Sequence, residues 1–157
     1  MKKAILAVGL AATASYGAWR WWSSEPAALE ANLTLDRIWV DHIPRNDRDM
    51  FQIFIAITDE PIGIFNETSQ WKGSFELFKY EAHDTEIRAV FPQNGDREKI
   101  TAKATRCNEN RMDFCLELSG SSRGVKRYYS QKGWEIEGAR TLDDLQHRTE
   151  EVLKLAK

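Results

Sequence analysis

The sequence predicts a mainly β fold, in which an eight-stranded antiparallel up-and-down meander closes into a barrel or a strongly curved sheet. About eight short segments between residues 35 and 132 show the period-two alternation that is typical of strands. Turn-prone clusters separate these segments, and one amphipathic helix is predicted at 141–157. Two packed sheets would fit the alternation almost as well. A barrel of this size either holds one small ligand or is filled by its own side chains.

The predicted strands differ in how clearly the pattern defines them. Asn66-Glu67-Thr68 weakens the third strand, and the fourth carries aromatic residues on both faces, which leaves its inner face open. The clearest turn is 92–96, which has Asn-Gly at its centre. In chain order, the predicted strands are 35–40, 51–58, 62–71, 74–82, 86–91, 100–107, 112–119 and 125–131.

The C-terminal helix has a defined start and an apolar stripe. Thr141 is a suitable N-cap, and Asp144 occupies the acidic position of a capping box. Leu142 and Leu145 lie on one stripe that also contains Thr149. This pattern favours a helix that packs on the outside of the sheet, since its polar face is not basic enough for a membrane surface.

Length and charge limit the classes of function. A chain of 157 residues suits one domain, and 42% hydrophobic with 29% charged residues is ordinary for a globular protein. The formal net charge of -2 gives no overall attraction for nucleic acid. We therefore expect no nucleic-acid partner.

The N-terminal segment 1–22 has the features of an export signal or a membrane anchor. Lys2 and Lys3 precede an apolar run, and small residues follow, with cleavage expected after Ala14. The alternative is an uncleaved anchor through residues 4–22, in which Trp19, Trp21 and Trp22 lie at the membrane interface. Either way, the linker 23–32 and the domain 33–157 would lie outside the cytoplasm, in the periplasm, secreted, or on the outer face of the inner membrane.

Both cysteines of the chain support an oxidising compartment. Alternation places Cys107 and Cys115 on the outer faces of two successive strands, separated by the turn-prone segment 108–111. A hairpin centred near Arg111 sets the two cysteines opposite each other, with Cβ atoms about 4.5–5.5 Å apart. This predicts a Cys107–Cys115 disulfide, which is the expected state of such a pair in an exported protein.

The last predicted strand offers a candidate ligand-binding pair. Alternation places Arg127 and Tyr129 on one face and Tyr128 on the other. If the first face is internal, Arg127 and Tyr129 form a clamp for a carboxylate. In the alternative, Arg127 points to solvent and Tyr128 belongs to the core. Arg106 falls on the apolar face of its strand, where it provides a further contact at the barrel mouth or extends to water.

The meander, the early strand that carries Trp39 and the trailing helix resemble the lipocalin and fatty-acid-binding (calycin) group. The spacing of Arg127 and Tyr129 is similar to the carboxylate-binding motif of fatty-acid-binding proteins. The chain departs from both families, because Arg37 replaces the glycine of the lipocalin Gly-x-Trp signature. The segment 41–50 is also too short for the two-helix lid of fatty-acid-binding proteins. The resemblance implies a carrier of a fatty-acid-like ligand.

A catalytic function has less support in the sequence. Asp41 and His42, followed by Asp47 and Asp49, form an acid–base-like cluster, but no Ser or Cys in a nucleophile-elbow context accompanies it. The three histidines are scattered singly, and no metal-binding or phosphate-binding motif occurs. We therefore expect no catalytic residue, metal or cofactor.

These observations lead to two expectations of function. The first is an exported, non-catalytic protein that binds a small apolar or amphipathic ligand inside its barrel. The second is a membrane-tethered envelope domain with a filled core that binds another protein. The state of the barrel interior discriminates between the two, because a carrier needs a cavity of a few hundred Å³ that reaches solvent.

Overall fold

A computed structural model describes residues 33–69, 71–136, 138 and 141–155 of the chain. Eight antiparallel strands form one closed barrel in which each strand pairs with the next, so the predicted meander is confirmed. The predicted signal or anchor 1–22 and the linker 23–32 lie outside the described residues. The elements are β1 (Trp39–Val40), β2 (Phe51–Ile57), β3 (Ile62–Thr68), β4 (Gly73–His83), β5 (Glu86–Val90), β6 (Arg97–Glu109), β7 (Met112–Ser119), β8 (Arg127–Ser130) and α1 (Leu142–Leu155).

The first and last strands close the ring. Val40 in β1 pairs with Tyr129 in β8. Just outside these strands, the Ile38 amide donates to the Trp134 carbonyl at 3.0 Å, and the Ile136 amide donates to the Asp36 carbonyl at 2.7 Å. These bonds extend the seam, so the sheet is one continuous ring rather than two packed sheets.

Side chains fill the inside of this ring. The interior cluster contains sixteen buried residues, and half of them are aromatic. The ring centroids of Phe54 and Phe65 lie 5.2 Å apart, those of Phe65 and Phe78 lie 5.4 Å apart, and those of Phe78 and Phe91 lie 5.6 Å apart. The members are Trp39, Phe54, Ala56, Phe65, Phe78, Tyr80, Ile87, Ala89, Phe91, Ile100, Ala102, Ala104, Phe114, Leu116, Leu118 and Tyr128.

A second apolar cluster lies on the outside of β1, β2 and β3. Ile53, Ile55 and Ile57 point away from the interior, so β2 is buried on both faces. Leu145 of α1 is buried in this outer cluster, which confirms that the helix packs on the outside of the sheet. The cluster consists of Ile38, Val40, Phe51, Ile53, Ile55, Ile57, Ile64, Met112, Trp134, Ile136 and Leu145.

The predicted capping box is present at the start of α1. The Asp144 amide donates to the Thr141 hydroxyl at 3.2 Å. In return, the Thr141 amide donates to the Asp144 carboxylate at 3.0 Å. This reciprocal pair satisfies two backbone donors that the helix itself leaves free.

The predicted disulfide joins Cys107 to Cys115, with a Cα–Cα distance of 5.7 Å. The expected register is wrong in detail, because Cys115 lies opposite Thr105 rather than Cys107. A shift in register between Arg106 and Glu109 brings Cys107 within reach of Cys115. The bridge therefore holds an irregular part of the β6–β7 hairpin, and it is compatible with an extracytoplasmic location.

Candidate functional site

The predicted carboxylate clamp does not face the interior. Tyr129 pairs with Val40 and Cys115, which lie on the outer face, whereas Tyr128 is fully buried inside the barrel. Arg127 shares the outer face with Tyr129. The inward orientation of Arg127 and Tyr129 is therefore wrong, and the alternative assignment of Tyr128 to the core is the one observed.

Arg127 is held on the outside by two carboxylates. Its guanidinium donates to Glu117 and to Glu109, each at 2.7 Å. The hydrogen bond to Glu109 raises the pKa of Arg127 further. Arg106 lies opposite Phe114 in the β6–β7 ladder and is exposed, so it extends to water. The structure therefore does not bring the three predicted ligand residues together inside the barrel.

Arg123 closes one end of the barrel, here called the Arg123 end. The turns β3–β4 and β5–β6 and the segment 120–126 lie at this end. The Arg123 guanidinium carbon lies 3.6 Å from the centre of the Phe91 ring. Only 12% of the Arg123 side chain is exposed, and it forms ion pairs with Glu76, Asp96 and Glu98. An arginine thus covers the aromatic interior while its charge is neutralised by three acids.

The segment beside Arg123 fits closely against the interior. Gly124 has a φ of +67°, and a Cβ at this position would lie 2.1 Å from the Tyr128 hydroxyl. That hydroxyl accepts a hydrogen bond from the Val125 amide at 3.0 Å. Burial raises the pKa of Tyr128 to about 12, so the phenol is neutral at physiological pH.

The opposite end of the barrel, here called the Leu33 end, is covered by residues 33–37. Leu33 and Leu35 pack against the interior cluster, and the Trp39 indole donates to the Thr34 carbonyl at 2.9 Å. The Arg37 guanidinium lies 4.2 Å from the centre of the Phe114 ring and forms an ion pair with Glu135. Both ends of the filled interior are therefore covered by side chains.

Glu98 on β6 binds Arg123 and two serines of the segment 120–126. Its carboxylate accepts hydrogen bonds from the hydroxyls of Ser121 and Ser122 and pairs with Arg123 at 2.5 Å. Burial by itself raises the pKa of Glu98. The serine hydrogen bonds and the charge of Arg123 outweigh this effect and hold the pKa below the ordinary value of 4.5.

This environment makes the stability of the Arg123 end dependent on pH. A carboxyl whose pKa is lowered by folding stabilises the native state above its unfolded pKa, and this contribution is lost as the pH falls through the folded pKa. We expect Glu98→Gln to be less stable than the parent at pH 7, and the difference in unfolding free energy to shrink from about pH 4.5 downward. Urea unfolding between pH 7 and pH 3 measures this. Glu81→Gln, at an exposed position, is the control. A difference in unfolding free energy between Glu98→Gln and the parent that stays constant with pH would contradict the lowered pKa of Glu98.

The acid–base-like cluster of the sequence assembles in the loop 41–50. His42 lies 3.0 Å from a carboxylate oxygen of Asp41 and 3.5 Å from one of Asp49. The hydrogen bond from the Arg45 amide, at 2.9 Å, contributes most to lowering the pKa of Asp49. Asp41 also accepts from the Gln52 amide at 2.8 Å, which ties the loop to β2. Within the described ranges, no group of three or more His, Cys, Asp or Glu residues could hold a metal ion.

The outer face of β4, β5 and β6 carries a shallow groove of about 530 Å³, here called the basic groove. Val90 lies between Lys79 and Arg97 in the strand register, and all three are exposed. Arg88 and Lys99 lie opposite each other in the next row and both pair with Glu86. The groove residues are Lys79, Tyr80, Glu81, Arg88, Ala89, Val90, Arg97, Glu98 and Lys99.

Three large apolar side chains are exposed, one in this groove and two toward the Arg123 end. Val90 is 39% exposed, Phe75 on β4 is 50% exposed, and Trp71 in the β3–β4 turn is 75% exposed. The sequence interpretation assigned Trp71 to a strand, whereas β3 ends at Thr68 and the Ser69 hydroxyl accepts from the Trp71 amide at 3.3 Å.

Another groove, of about 560 Å³, separates α1 from the barrel wall. Phe51, Ile53 and Ile64 form its apolar floor. Asp49 and Glu150 are among the acidic residues on its rim. This groove lies outside the barrel, so a ligand placed there would contact the helix rather than the interior cluster.

Comparison of the chain with protein-family models, curated proteins and solved structures finds no match. The resemblance to lipocalins and fatty-acid-binding proteins therefore stays a prediction, and the structure itself shows a closed eight-stranded barrel. In the part of the chain that the structure describes, no helix is both long and apolar enough to cross a membrane.

Proposed function

We propose that this chain is an exported, non-catalytic interaction domain, whose filled barrel is a rigid scaffold and whose outer surface binds another protein. The observation that carries the proposal is the interior cluster, in which Phe54, Phe65 and Phe78 contact one another at the centre of the barrel. Interiors packed in this way leave no room for a drug-sized molecule. Binding would then use the outside of the barrel.

The expected compartment agrees with this role. The Cys107–Cys115 disulfide is compatible with an oxidising environment, and the predicted signal or anchor 1–22 would deliver the domain there. If residues 4–22 remain as an anchor, the linker would join the barrel at the Leu33 end. Trp71 lies at the opposite end, so it would point away from the membrane and toward a partner.

The expectation of a small apolar ligand is retained as the second candidate, with a changed location. The groove beside α1 has an apolar floor that includes Ile53 and Ile64, and an amphipathic molecule would fit there, outside the barrel. Its rim carries the carboxylates of Asp49 and Glu150 beside the single amine of Lys154. This rim favours a ligand with a cationic group over a fatty acid.

Native mass spectrometry of the protein purified from its own membrane and soluble fractions tests the proposal. We expect a ligand-free mass that is two hydrogens lower than the reduced chain, from either the intact protein or the form cleaved after Ala14. The fraction and the mass together determine whether residues 1–22 are a signal or an anchor. A lipid-sized adduct that persists through purification would favour the small-ligand candidate over the interaction domain.

A further inference from the structure

We propose that the basic groove of β4, β5 and β6 binds an acidic, extended polypeptide segment of the partner protein. This inference rests on the proposed function, since it names the surface and the chemistry of the interaction. It begins from the charge of the groove. Four cations line the groove, Lys79, Arg88, Arg97 and Lys99, and the acids Glu81 and Glu98 lie beside them.

The two cations nearest to Val90 are available to a partner. Glu98 is bound by Arg123 and two serines, so it does not neutralise the groove. Glu86 is shared between Arg88 and Lys99. Lys79 and Arg97 have no acidic partner within the described residues, and they flank the exposed side chain of Val90. The row of Lys79, Val90 and Arg97 is therefore positive around an apolar side chain, and the exposed Glu81 lies opposite Arg88 in the next row.

The spacing of the cations suits an extended chain. Arg97 and Lys99 are two residues apart on β6, so their Cα atoms lie about 7 Å apart on the same face. Acidic residues at alternate positions of an extended peptide have the same spacing. An acidic segment that runs along β6 would place one carboxylate opposite Arg97 and the next opposite Lys99, where it would compete with Glu86, and Val90 would contact the peptide.

The position of the surface favours a peptide over a lipid bilayer. Val90 and Arg97 flank the β5–β6 turn at the Arg123 end, opposite the Leu33 end at which an anchor would join, so the groove would lie away from that membrane. Phe75 lies on the same outer face of β4, toward the Arg123 end, and half of it is exposed. It would contact a side chain of a peptide that extends beyond the groove.

A titration with a synthetic octapeptide of alternating Glu and Ala tests the inference. The full domain labelled with ¹⁵N is titrated, and a Gln-Ala octapeptide is the uncharged control. We expect saturable shifts of the amides of Lys79, Val90 and Arg97 with the acidic peptide only, and binding that weakens as salt rises. Absence of binding, or shifts centred on another surface, would overturn the inference.

Two variants with the same change in net charge sharpen the test. Lys79→Glu combined with Arg97→Glu reverses the charge at two positions of the groove. We expect this double variant to bind the acidic peptide about tenfold more weakly or worse. Lys126→Glu combined with Lys132→Glu alters two exposed lysines outside the groove, and we expect binding within about twofold of the parent. Equal losses of affinity in the two double variants would show that binding depends on overall charge, and would overturn the assignment of the peptide to the basic groove.

A competition experiment with vesicles of anionic phosphatidylglycerol distinguishes a peptide from a membrane surface. We expect the octapeptide to keep its affinity in their presence. Displacement of the peptide by these vesicles would overturn the polypeptide assignment in favour of a membrane surface. If the peptide fails to bind while the barrel still excludes apolar ligands, only this inference fails; entry of an apolar ligand into the barrel would refute the proposed function itself.

Discussion

Replacing Phe78 with alanine is expected to lower the free energy of unfolding by about 3–5 kcal/mol. Phe78 is fully buried, and its ring contacts four other aromatic rings, including those of Phe54, Phe65 and Phe91. Its removal takes away apolar contacts and leaves a cavity at the centre of the interior cluster. Urea unfolding followed by circular dichroism measures the loss.

Phe75→Ala is the matched control for this substitution. Phe75 is on the same strand and is the same residue type, but its side chain is on the outer face and half exposed. We expect its unfolding free energy to stay within about 0.5 kcal/mol of the parent. Losses of the same size for Phe75→Ala and Phe78→Ala would contradict the assignment of Phe78 to a filled interior.

Replacing Arg123 with alanine is expected to cost about 2–4 kcal/mol of unfolding free energy. The substitution uncovers the Phe91 ring and leaves the mostly buried Glu98 carboxylate without its cation. Glu76 and Asp96 would also lose their partner, although both are about half exposed and contribute less. The loss should become smaller at acidic pH, because a Glu98 carboxyl that has gained a proton no longer needs its cation.

Arg127→Ala provides the comparison at an exposed site. Arg127 also pairs with two carboxylates, Glu109 and Glu117, but this network lies on the outer surface. Exposed ion pairs contribute about 0.2–1 kcal/mol, so we expect a loss of no more than about 1 kcal/mol. Equal effects of Arg123→Ala and Arg127→Ala would show that Arg123 does not close the barrel in the way described.

The period-two pattern was sufficient to predict the strand order, because turns with strong local signals separate the strands. Gly95 has a φ of +77°, whereas Asn94 does not have a positive φ, so the predicted turn forms but the Asn-Gly pair is not a two-residue type I′ turn. Asn110 and Arg111 also have positive φ, which makes the β6–β7 turn tighter than the predicted segment 108–111. The register shift near Cys107 carries no local sequence signal, so the pairing of the cysteines was predicted correctly with the wrong register.

Which face of β8 points inward could not be read from its own sequence. Arg127 and Tyr129 on one face are as polar as Lys126 and Tyr128 on the other, so alternation does not select between them. The choice depends on distant residues, since Tyr128 packs against Phe54 with ring centroids 6.0 Å apart. The likeness to a carboxylate-binding motif therefore gave the wrong orientation.

The sequence analysis did not predict that Arg123 closes one end of the barrel, because this contact also depends on residues that are distant in the chain. Arg123 lies in a small-residue turn, and its acidic partners Glu76, Asp96 and Glu98 are 25 or more residues away along the chain. No local pattern marks an arginine that folds back over an aromatic ring. The basic groove was missed because its cations belong to three strands, and only the register places Lys79, Val90 and Arg97 in one row.

The most direct test of the filled barrel is a titration with oleate, observed at the methyl groups of Ala56, Ile100 and Leu116 by NMR. These methyl groups belong to the interior cluster and are fully buried. The filled barrel predicts that their resonances do not move as oleate is added. Saturable shifts of these interior methyl groups would contradict it and identify the barrel as a ligand-binding cavity.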